Sequence, residues 1–172
     1  QLKQASIVIM NTRKQRGLTD SKYNERRAEC EHALSQIQKI MKINSLCDLK
    51  EEEFEKIQHS ITNPVERKRV RHAVLENIRV KKAITALENN DIIEFGALMN
   101  ASHISLREDY EVTGVELDTL VESAWQQSGT IGARMTGAGF GGCAIAIVED
   151  ETIEDFKQAV YKEYTKIGRA HV

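Results

Sequence analysis

Proline is almost missing from this chain. One proline stands among 172 residues, and no stretch is rich in glycine and serine. Linkers between domains draw on those residues, so their scarcity argues against an internal boundary. The length suits one domain, or one with an appendage. Cysteine is also sparse. Cys30, Cys47 and Cys143 are an odd set without metal-ligand spacing. Such a set points to reduced thiols and a cytoplasmic location. Neither sign of charge dominates: 24 basic and 26 acidic residues leave a net charge of −2. That balance argues against a general nucleic-acid surface. No apolar run reaches membrane length and no signal peptide is expected, so a membrane partner is excluded as well. His32, His59, His72, His103 and His171 show no ligand spacing, and no metal site is expected from them. There is no internal repeat and no low-complexity segment. Hydrophobic residues make up 41%, enough to build a core for a soluble intracellular domain.

What the chain does have is a glycine cluster. Gly137, Gly139, Gly141 and Gly142 fall within six residues of Gly132–Val148, GARMTGAGFGGCAIAIV. Glycine reaches positive φ and lets another backbone approach closely, so the loop's shape matters more than its side chains. Arg134-Met135-Thr136 leads in. Cys143-Ala144-Ile145-Ala146-Ile147-Val148 leads out as a β-branched, half-buried strand. The reading is strand, glycine turn, strand. Gly137, Gly139 and Gly142 satisfy G-x-G-x-x-G, but a dinucleotide fingerprint must open a helix, and this one opens a strand. A P-loop requires Gly-Lys-Ser/Thr, where Cys143 stands instead. The glycines alone fit a sterically demanding hairpin beside something bulky.

Helical patterns fill most of the remainder. Ile7 to Met10 reads as a short buried strand. Leu18-Thr19-Asp20-Ser21 starts a helix that runs through Arg26, Ala33 and Ile37 to about Met41. Glu51 to His59 carries a weaker helical pattern. Asn63-Pro64-Val65-Glu66 combines an N-cap, a first-turn proline and an acid three residues on. Val70, Ala73, Val74, Val80, Ile84 and Leu87 then line one apolar face. Asp91 and Glu94 repeat the capping pattern before Phe95, Leu98, Met99 and Leu106. Gly114 to Gln127 gives a helix with Val115, Leu117, Val121 and Trp125 as core candidates. Thr152 to Tyr164 gives another, with Phe156, Val160 and Tyr161 facing in. The fold class that follows is α+β: a small, mainly antiparallel sheet with helices covering one face.

Four segments, in order, carry a wider likeness: IVIMNTRKQRGLTDSKYNERR (Ile7–Arg27), RVRHAVLENIRV (Arg69–Val80), SHISLREDYEVTGVELDTLV (Ser102–Val121) and MTGAGFGGCAIAIV (Met135–Val148). Together they resemble the galactokinases of the GHMP family of small-molecule kinases, the bacterial ones most. The likeness runs from about Ser6 to Thr165. It implies the fold of a GHMP kinase C-terminal domain over residues 1–172. It also implies an N-terminal half that carries the sugar signature, the Gly/Ser-rich phosphate loop and the catalytic aspartate. None of these is in the chain, so no catalytic residue is expected here. Alone, the chain is expected to be inactive and to bind no cofactor. Lys166-Ile167-Gly168-Arg169-Ala170-His171-Val172 departs from the family pattern.

The resemblance implies roles for particular residues. Ser21-Lys22-Tyr23-Asn24-Glu25-Arg26 matches the family's S-x-Y-N/P-x-R segment, whose tyrosine hydroxyl contacts the sugar. That role falls on Tyr23. A phenol can donate and accept hydrogen bonds while its ring packs on apolar surface. Without the resemblance, Tyr23 is simply a tyrosine in the first turn of an amphipathic helix. Arg13 and Gln15 depart from the asparagine and proline common in relatives. Thr136, Gly137, Gly139, Gly141 and Gly142 are expected to support the phosphate loop of the other half rather than to bind ATP directly. Phosphoryl transfer depends on positioning and charge stabilisation, which such a support would serve.

Other candidates have plainer readings. Arg67, Lys68, Arg69, Arg71, Arg79, Lys81 and Lys82 fit a solvated helix face. Asp109, Glu111, Glu116 and Asp118 fit carboxylates that cap a loop and a helix. Cys143 fits a small core residue, and His103 of the S-H-x-S motif a structural hydrogen bond. In the intact enzyme the resemblance implies ATP and magnesium as cofactors and phosphorylation of galactose at its C1 hydroxyl. Three alternatives stay open here: an N-acetylgalactosamine kinase, a galactokinase-like sugar sensor, and an interaction domain without catalysis. A homodimer is also expected, with Ile145 and Ile147 on a strand with an unpaired edge.

Overall fold

The computed structural model describes residues 4–14 and 19–168. Leu18 of the expected helix start, Gln15, and Arg169–Val172 lie outside the described residues. Strand β1 (Ala5–Asn11) is followed by helices α1 (Thr19–Ile37), α2 (Glu51–Ile57), α3 (Pro64–Glu88), α4 (Ile92–Glu108) and α5 (Val115–Trp125). Strands β2 (Thr130–Thr136) and β3 (Cys143–Glu149) form the glycine hairpin, and α6 (Ile153–Thr165) comes last. The sheet is antiparallel throughout, in the order β1-β3-β2. Ile147 of the central strand faces Ile7 on one side and Gly132 on the other.

Local chemistry sets the helix starts. The Asn63 side chain accepts the Val65 amide at 2.9 Å, with Pro64 at the first helical position. Proline fits there because its missing N–H would have had no helical partner. Asp91 accepts the Glu94 amide at 3.0 Å and opens α4 in the same way. Glu66 does not complete a reciprocal box. Its carboxylate instead meets His32 Nδ1 at 2.7 Å and Gln36 Nε2 at 2.8 Å, which ties α3 to α1.

Two apolar cores result. On one face of the sheet, Met10, Met135, Ala144, Ala146 and Val148 pack against Leu117, Leu120, Val121, Phe156 and Val160. The second core joins Ala33 and Ile37 of α1 to Phe54, Ile61, Val70 and Val74. Helices thus cover one face of a small antiparallel sheet, as the α+β reading expects. On the other face, Ile7 and Ile9 are exposed.

The outer edge of β2 is answered by side chains rather than by another strand. The Ala133 amide donates to Asn100 Oδ1 at 2.8 Å, and the Met135 amide donates to His103 Nδ1 at 3.1 Å. Trp125 Nε1 donates to the Ala133 carbonyl at 3.1 Å, and Arg134 Nε to that of Met135 at 2.9 Å. To deliver Asn100 and His103, α4 must run against the strand backbone. Gly96 and Gly132 make that approach possible: a Cβ on Gly96 would overlap the Ile131 carbonyl, and one on Gly132 would overlap Gly96.

Five expectations need correction. The strand at Ile7 to Met10 is buried only at Met10, since Ile7 and Ile9 face outward from the uncovered side of the sheet. Helix α1 ends at Ile37, not near Met41, and a turn follows. Val80, Ile84 and Leu87 are exposed, because α1 and the segment up to Ile61 cover α3 only around Val70 and Val74. Val115 and Tyr161 are likewise exposed, and Tyr164 takes the inward place on α6. Tyr164 sits there because its hydroxyl donates to the Thr12 carbonyl at 2.6 Å. Ile145 and Ile147 lie on the central strand, so the strand at the open side of the sheet is β1.

Gly96→Ala should therefore destabilise the chain by roughly 1–3 kcal/mol, the cost of forcing a methyl into a closed contact. Urea unfolding followed by circular dichroism measures the loss. A midpoint equal to that of the parent chain would show that α4 can move off β2 freely.

Candidate functional site

The glycine hairpin closes in an unusual backbone shape. Gly137, Gly139, Phe140, Gly141 and Gly142 all have positive φ. Phe140, at φ 57, is a bulky residue in a region that side chains rarely adopt. Its surroundings hold it there. Its amide donates to the Val112 carbonyl at 2.7 Å, and its ring packs on the sheet core. Gly139 must be glycine because a Cβ would strike that same Val112 carbonyl. Gly142 is fixed from the other side: its carbonyl accepts both the amide and the hydroxyl of Thr12, each at 2.8 Å. Thr136 and Gly137 are exposed, and nothing lies within 4 Å of a Cβ built on Gly137.

Tyr23 stands in the first turns of α1, about half exposed. The link to the glycine loop is its neighbour Lys22, whose ammonium sits 5.1 Å from the centre of the Phe140 ring. A cation over an aromatic face is attracted by the ring's negative quadrupole, an exposed pair contributing about 0.5–1 kcal/mol. Lys14, at the other flank of the loop, pairs with the buried Glu116 at 2.9 Å. The structure thus ties Lys22, the residue before Tyr23, to the glycine loop.

Behind them lies a polar seam. Arg69 is the largest side chain that is fully buried. Its Nε donates to Glu29 on α1 at 2.6 Å, its Nη1 to the Asp109 carbonyl at 2.6 Å, and its Nη2 to Glu111 at 2.8 Å. The Arg69 bond holds the Glu111 carboxyl below the usual carboxylate range. This corrects the expectation of a solvated basic face, since at Arg69 the stretch is internal and paired on three sides. Asp109, Glu111 and Glu116 also prove to be partnered. Asp109 takes Arg71 at 2.7 Å, and Asp118 lies 3.2 Å from His103 Nε2, close but off-line for a hydrogen bond.

The S-H-x-S motif resolves into three anchors. Ser102 donates to Glu76 at 2.5 Å. His103 is fully buried and accepts the Met135 amide, the structural bond expected of it. Ser105 donates to Asp109 at 3.0 Å and so accepts from His72 Nδ1 at 2.9 Å. His72 also stacks on Tyr110, with ring centres 4.6 Å apart. Burial pushes His72 down to about 4 and the Tyr110 phenol up to about 12. Burial would raise Glu76 too, but the Ser102 and Arg79 bonds hold it below its ordinary value.

Sequence reasoning missed Arg69, Lys22 and Phe140. A signal for the first was present. Glu66, Arg69, His72 and Glu76 recur at helical spacing beside the apolar stripe of α3, which marks a second inward face. Lys22 and Phe140 gave no such signal, because their pairing bridges distant segments. Among the described residues, no three His, Cys, Asp or Glu side chains form a group that could hold a metal ion. No helix among them is long and apolar enough to cross a membrane.

Comparison with known proteins fits this geometry to a family. Residues 83–166 match the family model "GHMP kinases C terminal". The Clostridium beijerinckii galactokinase is 62% identical over 163 residues, which are 94% of this chain and 42% of that protein. Over residues 83–166 the chain belongs to the GHMP kinase family. The Clostridium acetobutylicum galactokinase is 58% identical over the same shares of the two chains. The crystal structure of Lactococcus lactis galactokinase complexed with galactose superposes with a TM-score of 0.95 and 51% identity. It covers 98% of this chain and 43% of its own. The L. major mevalonate kinase in complex with R-mevalonate, at TM-score 0.55 and 21% identity, shares the fold alone. The chain thus spans about two fifths of the length of these galactokinases, and as a GHMP kinase segment it corresponds to their C-terminal part.

The buried His72 makes folding of this GHMP kinase segment sensitive to acid. Unfolded histidine takes a proton near 6.5, whereas folded His72 resists until about 4. Between those values the unfolded chain binds the extra proton, so stability falls as pH drops through the window, by up to ~3 kcal/mol. Urea midpoints measured across that window should show the slope in the parent chain and a shallower one in His72→Gln. Parallel slopes would place the acid sensitivity elsewhere.

Proposed function

We propose that the chain forms one C-terminal domain of a galactokinase, an enzyme that transfers the γ-phosphoryl of ATP to the C1 hydroxyl of galactose. One observation carries this reading: 98% of the chain superposes, at 51% identity, on a galactokinase crystallised with galactose. The local geometry supports it, since Lys22 and Phe140 tie the segment of Tyr23 to the glycine loop.

In this reading Tyr23 offers its phenol to a sugar hydroxyl. Its half-exposed position leaves the ring free to lie against the sugar. Thr136 and Gly137 present an exposed surface against which a second phosphate-binding loop can rest, while Gly139, Gly141 and Gly142 shape the loop from within. The contact positions the reacting groups without supplying any of them. In this reading ATP and its metal belong to the part of the kinase outside this chain, together with the catalytic base. The 172-residue chain alone is accordingly assigned no turnover and no bound cofactor, and the kinase a cytoplasmic location.

The test is a chimera in which this chain replaces the matching region of the C. beijerinckii galactokinase. It should phosphorylate galactose, whereas the chain alone should release no ADP above background. In the chimera, Tyr23→Phe should weaken galactose binding by roughly 1 kcal/mol and leave ATP binding unchanged, as expected for the loss of one hydrogen bond. A galactose KM and kcat equal to the parent's would remove Tyr23 from the sugar site.

Self-association of the chain is a separate proposal. Strand β1 stands at the side of the sheet, with Ile7 59% and Ile9 70% exposed. Open strands and apolar patches recruit other chains. Light scattering over a range of concentrations should show a dimer that Ile9→Lys abolishes. A constant monomer mass would end the idea.

A further inference from the structure

We propose that Arg69 is a positioning residue that fixes the distance between Tyr23 and the glycine loop. The inference rests on the kinase reading for its functional meaning, but its geometry stands apart from it. Tyr23, Arg26 and Glu29 recur every three residues along α1 and so share one stripe of that helix. Arg69 grips the stripe at Glu29, and Arg26 reaches both Glu29 at 3.1 Å and the Glu111 carbonyl at 3.5 Å. With its two remaining nitrogens Arg69 grips the segment 109–111. One residue further on, the Val112 carbonyl holds the Phe140 amide and closes against Gly139. The Phe140 ring then meets Lys22, next to Tyr23. The circuit therefore runs α1, Arg69, Glu111, Val112, Phe140, Lys22 and back to α1.

A guanidinium is the group that can close it. Its donors leave a rigid plane in three fixed directions, and the structure uses all three on three separate acceptors. A lysine would keep the charge but could not hold this triangle. The side chain is 1% exposed, so water cannot substitute for a lost partner. Each arm has its own consequence. The Glu29 arm sets where Tyr23 stands. The Glu111 arm sets where the glycine loop stands.

Arg69→Lys, Glu29→Gln and Glu111→Gln separate these effects, with Glu29→Gln and Glu111→Gln available should Arg69→Lys fail to fold. In the full 172-residue chain, hydrogen exchange should speed up about tenfold at the Phe140 amide in Arg69→Lys and Glu111→Gln, and stay unchanged at Ala146 in the central strand. In the chimera, Glu29→Gln should raise the galactose KM several-fold with kcat nearly constant. Glu111→Gln should lower kcat about tenfold with KM nearly constant, and Arg69→Lys should do both, since small misplacements of reacting groups cost large factors in rate. The ATP KM should not move in any of them. Exchange that rises equally at Phe140 and Ala146, or that does not rise at all, overturns the proposal. So does a loss of kcat and KM in equal measure in all three variants. If exchange is localised as expected but the unsubstituted chimera is inactive, the positional link stands and the kinase reading falls.

Discussion

A strand at the side of a sheet leaves a row of backbone amides and carbonyls without partners, and the arrangement of this chain turns on how that row is met. On β2 it is met by Asn100, His103, Trp125 and Arg134. Two of these side chains lie on α4, which must therefore run within backbone contact of the strand, and Gly96 and Gly132 allow it to. Once α4 is fixed there, Ser102 and Ser105 point back toward α3, and the segment after α4 falls beside the glycine hairpin. The S-H-x-S motif is thus a connector with three ends, one on the strand and two on the neighbouring helix and loop.

The buried charges follow from the same geometry. Arg69 is fully buried and Glu76 and Arg134 are partly buried between helices and sheet, which is costly unless each finds partners. Each does, through directional bonds of well-defined length. Removing one partner leaves the other charged and buried, so the seam resists piecemeal change. Its members also restrict which relative placements of α1, α3 and the hairpin are compatible with a fully paired interior.

Much of this was legible in the sequence. The caps at Asn63 and Asp91 act through a single side chain and adjacent amides, and local chemistry decides such features. The glycine hairpin was equally plain, because four glycines in so short a span have few other uses. The outcome differed where the answer depended on what packs over a face. The periodicity of Val80, Ile84 and Leu87 identifies a stripe but not its cover, and those residues prove exposed. Tyr161 and Tyr164 lie a turn apart, and it is Tyr164, in line with the buried Phe156 and Val160, that turns inward and reaches the distant Thr12 carbonyl. Of the candidate site, Tyr23 and the loop could be proposed from their resemblance to known kinases. Arg69 was hidden by the run of basic residues around it, although its helical spacing with Glu66, His72 and Glu76 marks an inward face.

Two apolar cores, one centred on the sheet and one on α1 and α3, meet across a seam of paired charges rather than through a shared greasy interior. Methyl groups pack in many ways, whereas a guanidinium with three fixed acceptors packs in one. Over many generations each core could then drift on its own, exchanging valine for isoleucine or leucine for methionine, without shifting the other. Inheritance would act most strictly on a few polar residues between them, and two independently varying halves would keep a constant alignment.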